Sequence, residues 1–229
     1  MIAKAYRLFA FLGLMITGAM FIIGWKYDAA APIENYGFNM GIYAAFIVVH
    51  IVMTMPAFKK AVYGPRAGTP VERQIYIVIS IVTFLAVYWF HRPVPGFEYA
   101  SPDWLAFIGT CAVLLAAFAF FEFANFEMLD SLIGMPGSEL SHTVGEETPL
   151  FTEGTYAQVR HPMYRAGTLM GLASVMIHPQ AGQLLFALLV GCSFILFIPF
   201  EEAQLLKARG EAYREYMRQT PWRLFKGIW

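Results

Sequence analysis

The amino-acid sequence predicts an all-α fold: a polytopic transmembrane helical bundle of four spans, with a C-terminal helical hairpin and a cytoplasmic amphipathic tail helix. Three observations predict it. Of 229 residues, 58% are hydrophobic and 14% charged, against about 25% charged in a soluble domain. The apolar residues gather in runs long enough to cross a bilayer. Those runs sort the basic residues onto one side, 14 of the 16, leaving Lys26 and Arg92 opposite. The same composition, with zero net charge, excludes a disordered chain, a nucleic-acid binder with a basic face and a disulfide scaffold.

The first apolar run covers residues 6–25. Lys4 precedes it and Arg7 stands at its start, and its apolar core continues to Trp25, so it reads as a retained span rather than a cleaved signal. The second run covers residues 39–58, the third 73–91 and the fourth 103–124. A fifth apolar region, 167–200, is broken at His178-Pro179-Gln180-Ala181-Gly182. As one helix it would be about 50 Å long at 1.5 Å per residue, and Pro and Gly supply turn chemistry at the break. The expectation is two short antiparallel helices. Cys111 and Cys192 sit within apolar runs and read as small buried hydrophobes.

Lys4, Arg7, Lys59, Lys60, Arg66, Arg73, Arg160, Arg165 and the six basic residues of the tail share one side of this topology. The positive-inside rule makes that side cytoplasmic, with both termini there, in what reads as a bacterial inner membrane. Tyr27, Tyr36, Trp89, Tyr99 and Trp104 fall near the outer boundary, as an aromatic belt would. The expected organisation is a four-span membrane region over 1–124, an acidic cytoplasmic loop over 125–153 and a functional core over 154–229. Leu205, Leu206, Ala212, Tyr213, Tyr216 and Met217 recur with helical spacing in the tail.

Ionisable groups inside spans are costly and mark candidate functional positions. His50, Glu122, His161 and the Glu201-Glu202 pair come from separate parts of the sequence yet fall at one depth near the cytoplasmic boundary. Two glutamates do not suit a helix C-terminus, whose carbonyls are already negative. They are better explained if the helix continues or a cation sits nearby. Arg160-His161-Pro162-Met163-Tyr164-Arg165-Ala166-Gly167 is the densest cluster. Pro162 suits the first helical position, His161 then falls at the cap, where free amides can hold an anion, and Gly167 permits close packing.

This segment resembles the R-H-P-x-Y-x-x-G signature of integral membrane methyltransferases of the isoprenylcysteine carboxyl methyltransferase type. Gly154-Thr155-Tyr156 is similar to that family's lead-in, and Glu201-Glu202-Ala203-Gln204-Leu205 with Gly210-Glu211-Ala212-Tyr213-Arg214-Glu215-Tyr216 to its tail. The N-terminal half resembles the narrower branch of NnrU-like proteins and bacterial methanethiol S-methyltransferases, through residues 50–59, Glu72-Arg73-Gln74-Ile75-Tyr76 and Arg92-Pro93-Val94-Pro95.

The resemblance implies a cytoplasmic pocket for S-adenosyl-L-methionine. His161 and nearby amides would face its carboxylate end, and Arg160 would be among the residues that bind the cofactor. Tyr156 and Tyr164 would line the pocket, Gly167 would allow close approach, Glu201 or Glu202 would hold a cationic group, and Tyr213 would help cover the adenine. The implied acceptor is a small apolar thiol such as methanethiol, giving dimethyl sulfide; a lipid or isoprenylated cysteine is the alternative acceptor. A thiol must lose its proton, because the thiolate is the nucleophile, and His50 or Glu122 could take it. A non-enzymatic haem- or metal-binding reading is the rival. Only His50 and His161 share a depth, and no H-x-x-H spacing exists.

Overall fold

The computed structural model describes residues 2–122, 133–135, 150 and 152–229, with residues 2 and 119–122 by backbone alone. The described residues form helices α1 (Ile2–Ile23), α2 (Glu34–Thr54), α3 (Pro56–Tyr63), α4 (Pro70–Phe90), α5 (Asp103–Glu122), α6 (Pro162–Ile177), α7 (Ala181–Arg209) and α8 (Glu211–Gln219), with short 3-10 turns at Gly64–Arg66 and Gly154–Ala157. Helices α1, α2, α4 and α7 are each long and apolar enough to cross a bilayer, and α5 is a 20-residue apolar helix.

Prolines set several boundaries. Pro56, Pro70 and Pro162 stand at the first turns of α3, α4 and α6, where a missing N–H costs nothing. Pro56 also ends α2, because the residue before a proline is pushed out of the helical region; Met55 is extended at φ −67°, ψ 131°.

The hairpin breaks where the sequence indicates, between Ile177 and Ala181, but its arms are unequal. Helix α6 has 16 residues, whereas α7 has 29, about 44 Å at 1.5 Å per residue. The expectation of two short helices is corrected for the second arm. Glu201 and Glu202 do not stop the helix; it runs on to Lys207 and Arg209, whose charges suit its C-terminal carbonyls. Gly210, at φ +53°, makes the turn that ends it, leaving α8 as a separate helix. The tail is therefore split: its first turns extend α7, and α8 alone is the amphipathic piece, with Tyr213 and Tyr216 buried.

At the end of the bundle that holds Lys26 and Arg92, the hairpin tip is tied to α1. The Gln180 amide donates to the Trp25 carbonyl (2.7 Å). The Trp25 N–H donates to Gln183 Oε1 (3.0 Å), and Gln183 Nε2 to Ser174 Oγ (2.6 Å). Around these bonds lies one core cluster: Phe21, Trp25, Tyr43, Val87, Val113, Met170, Ala173, Phe186 and Val190. A second cluster, nearer the basic-rich end, gathers Ala10, Ile77 and Ile81 with Ile133 and Met135, edged by Tyr76, Tyr156 and Met163. Residues 133–135 belong to the segment expected to be an acidic loop; they pack into this core, and the acidic residues between 127 and 147 lie outside the described residues.

Large apolar side chains cover much of the surface, among them Leu8, Leu12, Phe107, Leu115, Phe118, Leu188 and Leu196. An apolar exterior of this extent requires lipid rather than water, and the chain is an integral membrane protein. Trp89, Tyr99 and Trp104 are exposed at one end of it. Cys192 is exposed and Cys111 half-buried, so the expectation of two buried cysteines is corrected: their helices turn these positions partly or wholly toward lipid.

Candidate active site

At the basic-rich end, the segment leading into α6 is pinned by the chain's last residues. The Arg160 N–H donates to the Trp222 carbonyl (2.9 Å) and the His161 N–H to the Arg223 carbonyl (3.0 Å). The Tyr216 hydroxyl donates to the Tyr156 carbonyl (2.9 Å). These bonds carry the sequence-separated motifs into one place. The His161 amide is thereby engaged by protein, and Pro162 has none, so the amides left to meet a ligand at this helix start are those of Met163 and Tyr164.

Glu202 lies at the centre of a buried clasp. Its side chain is 3% exposed. Oε1 accepts from Arg160 Nε at 2.7 Å and lies 3.2 Å from His161 Nε2, while Oε2 accepts from Arg223 Nε at 2.9 Å. Arg160 spends its Nη1 on the Thr220 carbonyl (2.8 Å). Each charge is taken from water only because the others meet it. Tyr213, 1% exposed, packs beside this group, and burial holds its hydroxyl well above its ordinary range, reinforced by Glu202.

Glu201, the next residue on α7, is arranged differently. Its carboxylate is about one-third exposed, with Oε2 3.5 Å from His161 Nδ1. That oxygen is buried and accepts no hydrogen bond among the described residues. Glu201's field reaches the hydroxyls of Tyr76, Tyr156 and Tyr164. The Tyr156 hydroxyl is pushed up to about 12, by burial first and by Glu201 second. The Tyr164 ring is stacked between His161 (5.5 Å, 2°) and Phe194 (4.7 Å, 10°).

Burial alone would push His161 below its ordinary value, but the Glu201 and Glu202 carboxylates outweigh it and hold it above. A raised folded-state value stabilises the fold fully below about 6.5, the ordinary histidine value, and that contribution is lost as pH rises through the raised value. Thermal unfolding of wild type and His161→Gln across pH 5.5–9 is expected to show a decline with rising pH in wild type that the variant lacks.

Gly167 lies one turn behind Tyr164. A Cβ there would fall 2.8 Å from the Phe194 ring, so any side chain forces that ring off Tyr164. Gly167→Val is expected to destabilise by about 1–3 kcal/mol, the usual cost of overpacking, and to weaken donor binding; the melting temperature and a donor-binding isotherm check both.

The structure thus gathers Tyr156, His161, Tyr164 and Glu201 around one point, with Arg160, Glu202 and Tyr213 beside it in the clasp and Gly167 behind. His50 stands one ring away. Its Nδ1 is 2.7 Å from the Phe46 carbonyl and its Nε2 2.9 Å from Ser80 Oγ, and its ring meets Tyr76 edge-on at 5.8 Å. Glu122 ends α5, and its carboxyl lies outside the described residues. Sequence reasoning missed Tyr76, Phe194, Thr220 and Arg223. Tyr76 stood within a quoted motif stretch, but nothing marked which of its residues faced inward; Arg223 counted only among the basic residues of the tail, and Phe194 carried no signal beyond its apolar run.

The chain is also similar in sequence to known proteins. A family model described as phospholipid methyltransferase matches residues 108–212. The chain is 30% identical over 207 residues to a methanethiol S-methyltransferase of Mycobacterium tuberculosis, covering 84% of this chain and 81% of the relative. It is 27% identical over 248 residues to methanethiol S-methyltransferase 1 of Bradyrhizobium diazoefficiens, covering 97% and 83%. A 90-residue stretch is 33% identical to a protein-S-isoprenylcysteine O-methyltransferase of Schizosaccharomyces pombe, covering 37% of this chain and 38% of that one. No solved structure matches. A lipid-embedded helical bundle that draws these motifs to one end, with this identity over four-fifths of a relative, belongs to the methanethiol S-methyltransferase family of integral membrane methyltransferases.

Proposed function

We propose that the protein transfers a methyl group from S-adenosylmethionine to methanethiol, forming dimethyl sulfide, with its donor site at the basic-rich, cytoplasmic end of the bundle. The observation that carries this reading is the Glu201 carboxylate, whose buried Oε2 accepts no hydrogen bond among the described residues and has only the long contact to His161 Nδ1 at 3.5 Å. A buried carboxylate oxygen without a donor is costly, and the donor's α-amino group is the cation that would meet it. The site also has aromatic walls in Tyr156 and Tyr164 and two amides at the start of α6 for a carboxylate. These residues fit the group. Glu202 has no such capacity, being filled by Arg160, His161 and Arg223.

When bound, S-adenosylmethionine supplies an electrophilic methyl group on a sulfonium. The chain's own residues do the rest. Glu201 and the α6 amides fix the donor's amino-acid end, and alignment of donor and acceptor supplies much of the rate of an in-line transfer. The Tyr164 ring, held between His161 and Phe194, keeps the wall rigid and water out. An alkanethiol is a weaker acid than cysteine, whose value is about 8.5, so its proton needs an acceptor; His50 is our choice. Residues 154–229 form the donor-binding core and 1–124 the membrane region through which a small apolar acceptor arrives. The charge sidedness of that topology supports an inner-membrane location with both termini cytoplasmic.

Purified protein in lipid nanodiscs, given labelled S-adenosylmethionine and methanethiol, is expected to release labelled dimethyl sulfide and S-adenosylhomocysteine in equal amounts. Transfer only to a farnesylcysteine analogue or a phospholipid amine would overturn the acceptor assignment while leaving the donor assignment standing.

A further inference from the structure

One polar pair inside the membrane region is accounted for neither by the donor site nor by packing. Ser80 lies ten residues into α4 (Pro70–Phe90), about 15 Å from its start at 1.5 Å per residue. It faces His50 of α2, and both side chains are partly exposed. Phe46 lies against His50 from its own helix, and Tyr76 and Ser80 from α4; Arg73 sits beyond Tyr76, its guanidinium 5.1 Å from that ring's centre. Tyr76 in turn lies within the field of Glu201. The pair lies one turn further along α4 from the basic-rich end than Tyr76.

Its hydrogen bonds admit two proton arrangements with one set of heavy-atom positions. The Phe46 carbonyl can only accept, so His50 Nδ1 carries a hydrogen and Nε2 is the bare nitrogen of the neutral ring. Ser80 Oγ is 2.9 Å from that nitrogen and 2.8 Å from the Tyr76 carbonyl, and it has one hydrogen to give. With His50 neutral, Ser80 donates to Nε2. With His50 protonated, Nε2–H donates to Ser80, and the hydroxyl turns to the Tyr76 carbonyl. A proton can be received by rotating one hydroxyl.

We infer that Ser80 is a catalytic residue for the acceptor: it relays the thiol's proton to His50. Both ring nitrogens are occupied, so a thiol reaches Nε2 only through Ser80 Oγ. In the step, the S–H bond breaks as its proton passes to Ser80 Oγ. Ser80's own proton passes to Nε2, and the electron pair stays on sulfur and forms the new S–CH3 bond as the donor's sulfonium–methyl bond breaks. The imidazolium later returns its proton to water. This inference rests on the thiol-methylation reading above.

The experiment follows kcat/KM for dimethyl sulfide formation against pH for wild type, Ser80→Ala, Ser80→Thr and His50→Gln in nanodiscs, with S-adenosylmethionine binding and melting temperature measured on each. Removing a general base typically costs 10²–10⁴-fold. Ser80→Ala and His50→Gln are expected to lose about 10²-fold at neutral pH and to approach wild type at alkaline pH, where the thiol ionises unaided, with donor affinity unchanged in both. Ser80→Thr, which keeps the hydroxyl, is expected to retain activity within several-fold. A Ser80→Ala loss equal at every pH, or no loss, overturns the relay. No thioether from wild type at any pH overturns the thiol reading itself, and the relay with it.

Discussion

Replacing Glu202 with alanine is expected to unfold the basic-rich end of the molecule. The substitution removes the single acceptor shared by Arg160, His161 and Arg223 and leaves the Arg160 guanidinium, 4% exposed, without its counter-charge. Breaking a buried ion pair from one side typically costs about 3–5 kcal/mol, a large part of the roughly 5–15 kcal/mol that holds a domain together. The damage spreads, because the backbone of residues 160–161 is registered against 222–223 through the same clasp. Thermal melting in detergent is expected to show the loss directly, and donor binding is expected to disappear with it. Glu202→Gln, which keeps the shape and can accept one of the three bonds, should fall between. An alanine variant that melts with wild type would mean that the clasp carries no stability.

Substituting the neighbouring glutamate is expected to do the opposite. Glu201→Gln removes a one-third-exposed charge whose only salt-bridge partner among the described residues is His161, at 3.5 Å, and a partly exposed pair at that distance contributes little. The fold should therefore melt within a few degrees of wild type. Donor affinity should fall by about 1.5–3 kcal/mol, the worth of a hydrogen bond to a charged group, or roughly 10- to 100-fold. Two adjacent residues of one type are thus assigned separable roles, one in stability and one in binding. Equilibrium binding of radiolabelled S-adenosylmethionine alongside melting separates them; a Glu201→Gln variant that binds the donor as tightly as wild type would remove this carboxylate from the site.

That division was not legible in the sequence. Adjacent positions on a helix point about 100° apart, and Glu201-Glu202 gives no sign of which one turns into the clasp. Arg160 is a similar case. In the motif it reads as a cofactor-binding residue, yet its guanidinium is engaged by Glu202 and Thr220. Partners 42 and 60 residues away cannot be read from local spacing. The spans were legible, because a bilayer imposes a length and an apolarity that few other structures need. The length of α7 was not: its apolar stretch was divided by bilayer thickness, although a helix can continue beyond the membrane through charged turns. The burial of Ile133 and Met135 was hidden by the acidic residues around them, which gave the whole segment the look of a solvated loop. Tyr76 escaped notice because an aromatic residue in an apolar helix is ordinarily a packing residue, and only the fold sets it edge-on to His50.

In the proposed mechanism a single donor-holding site is formed jointly by the start of α6 and the Glu201 turn of α7. An experimental structure of the protein with S-adenosylhomocysteine, the unreactive product, tests this most directly. The predicted result is an α-amino group within hydrogen-bonding distance of Glu201 Oε2, with the Tyr156 and Tyr164 rings against the ligand and the Glu202 clasp unchanged. A ligand seated at the opposite end of the bundle, or one bound at this end with Glu201 turned away from it, would contradict the account.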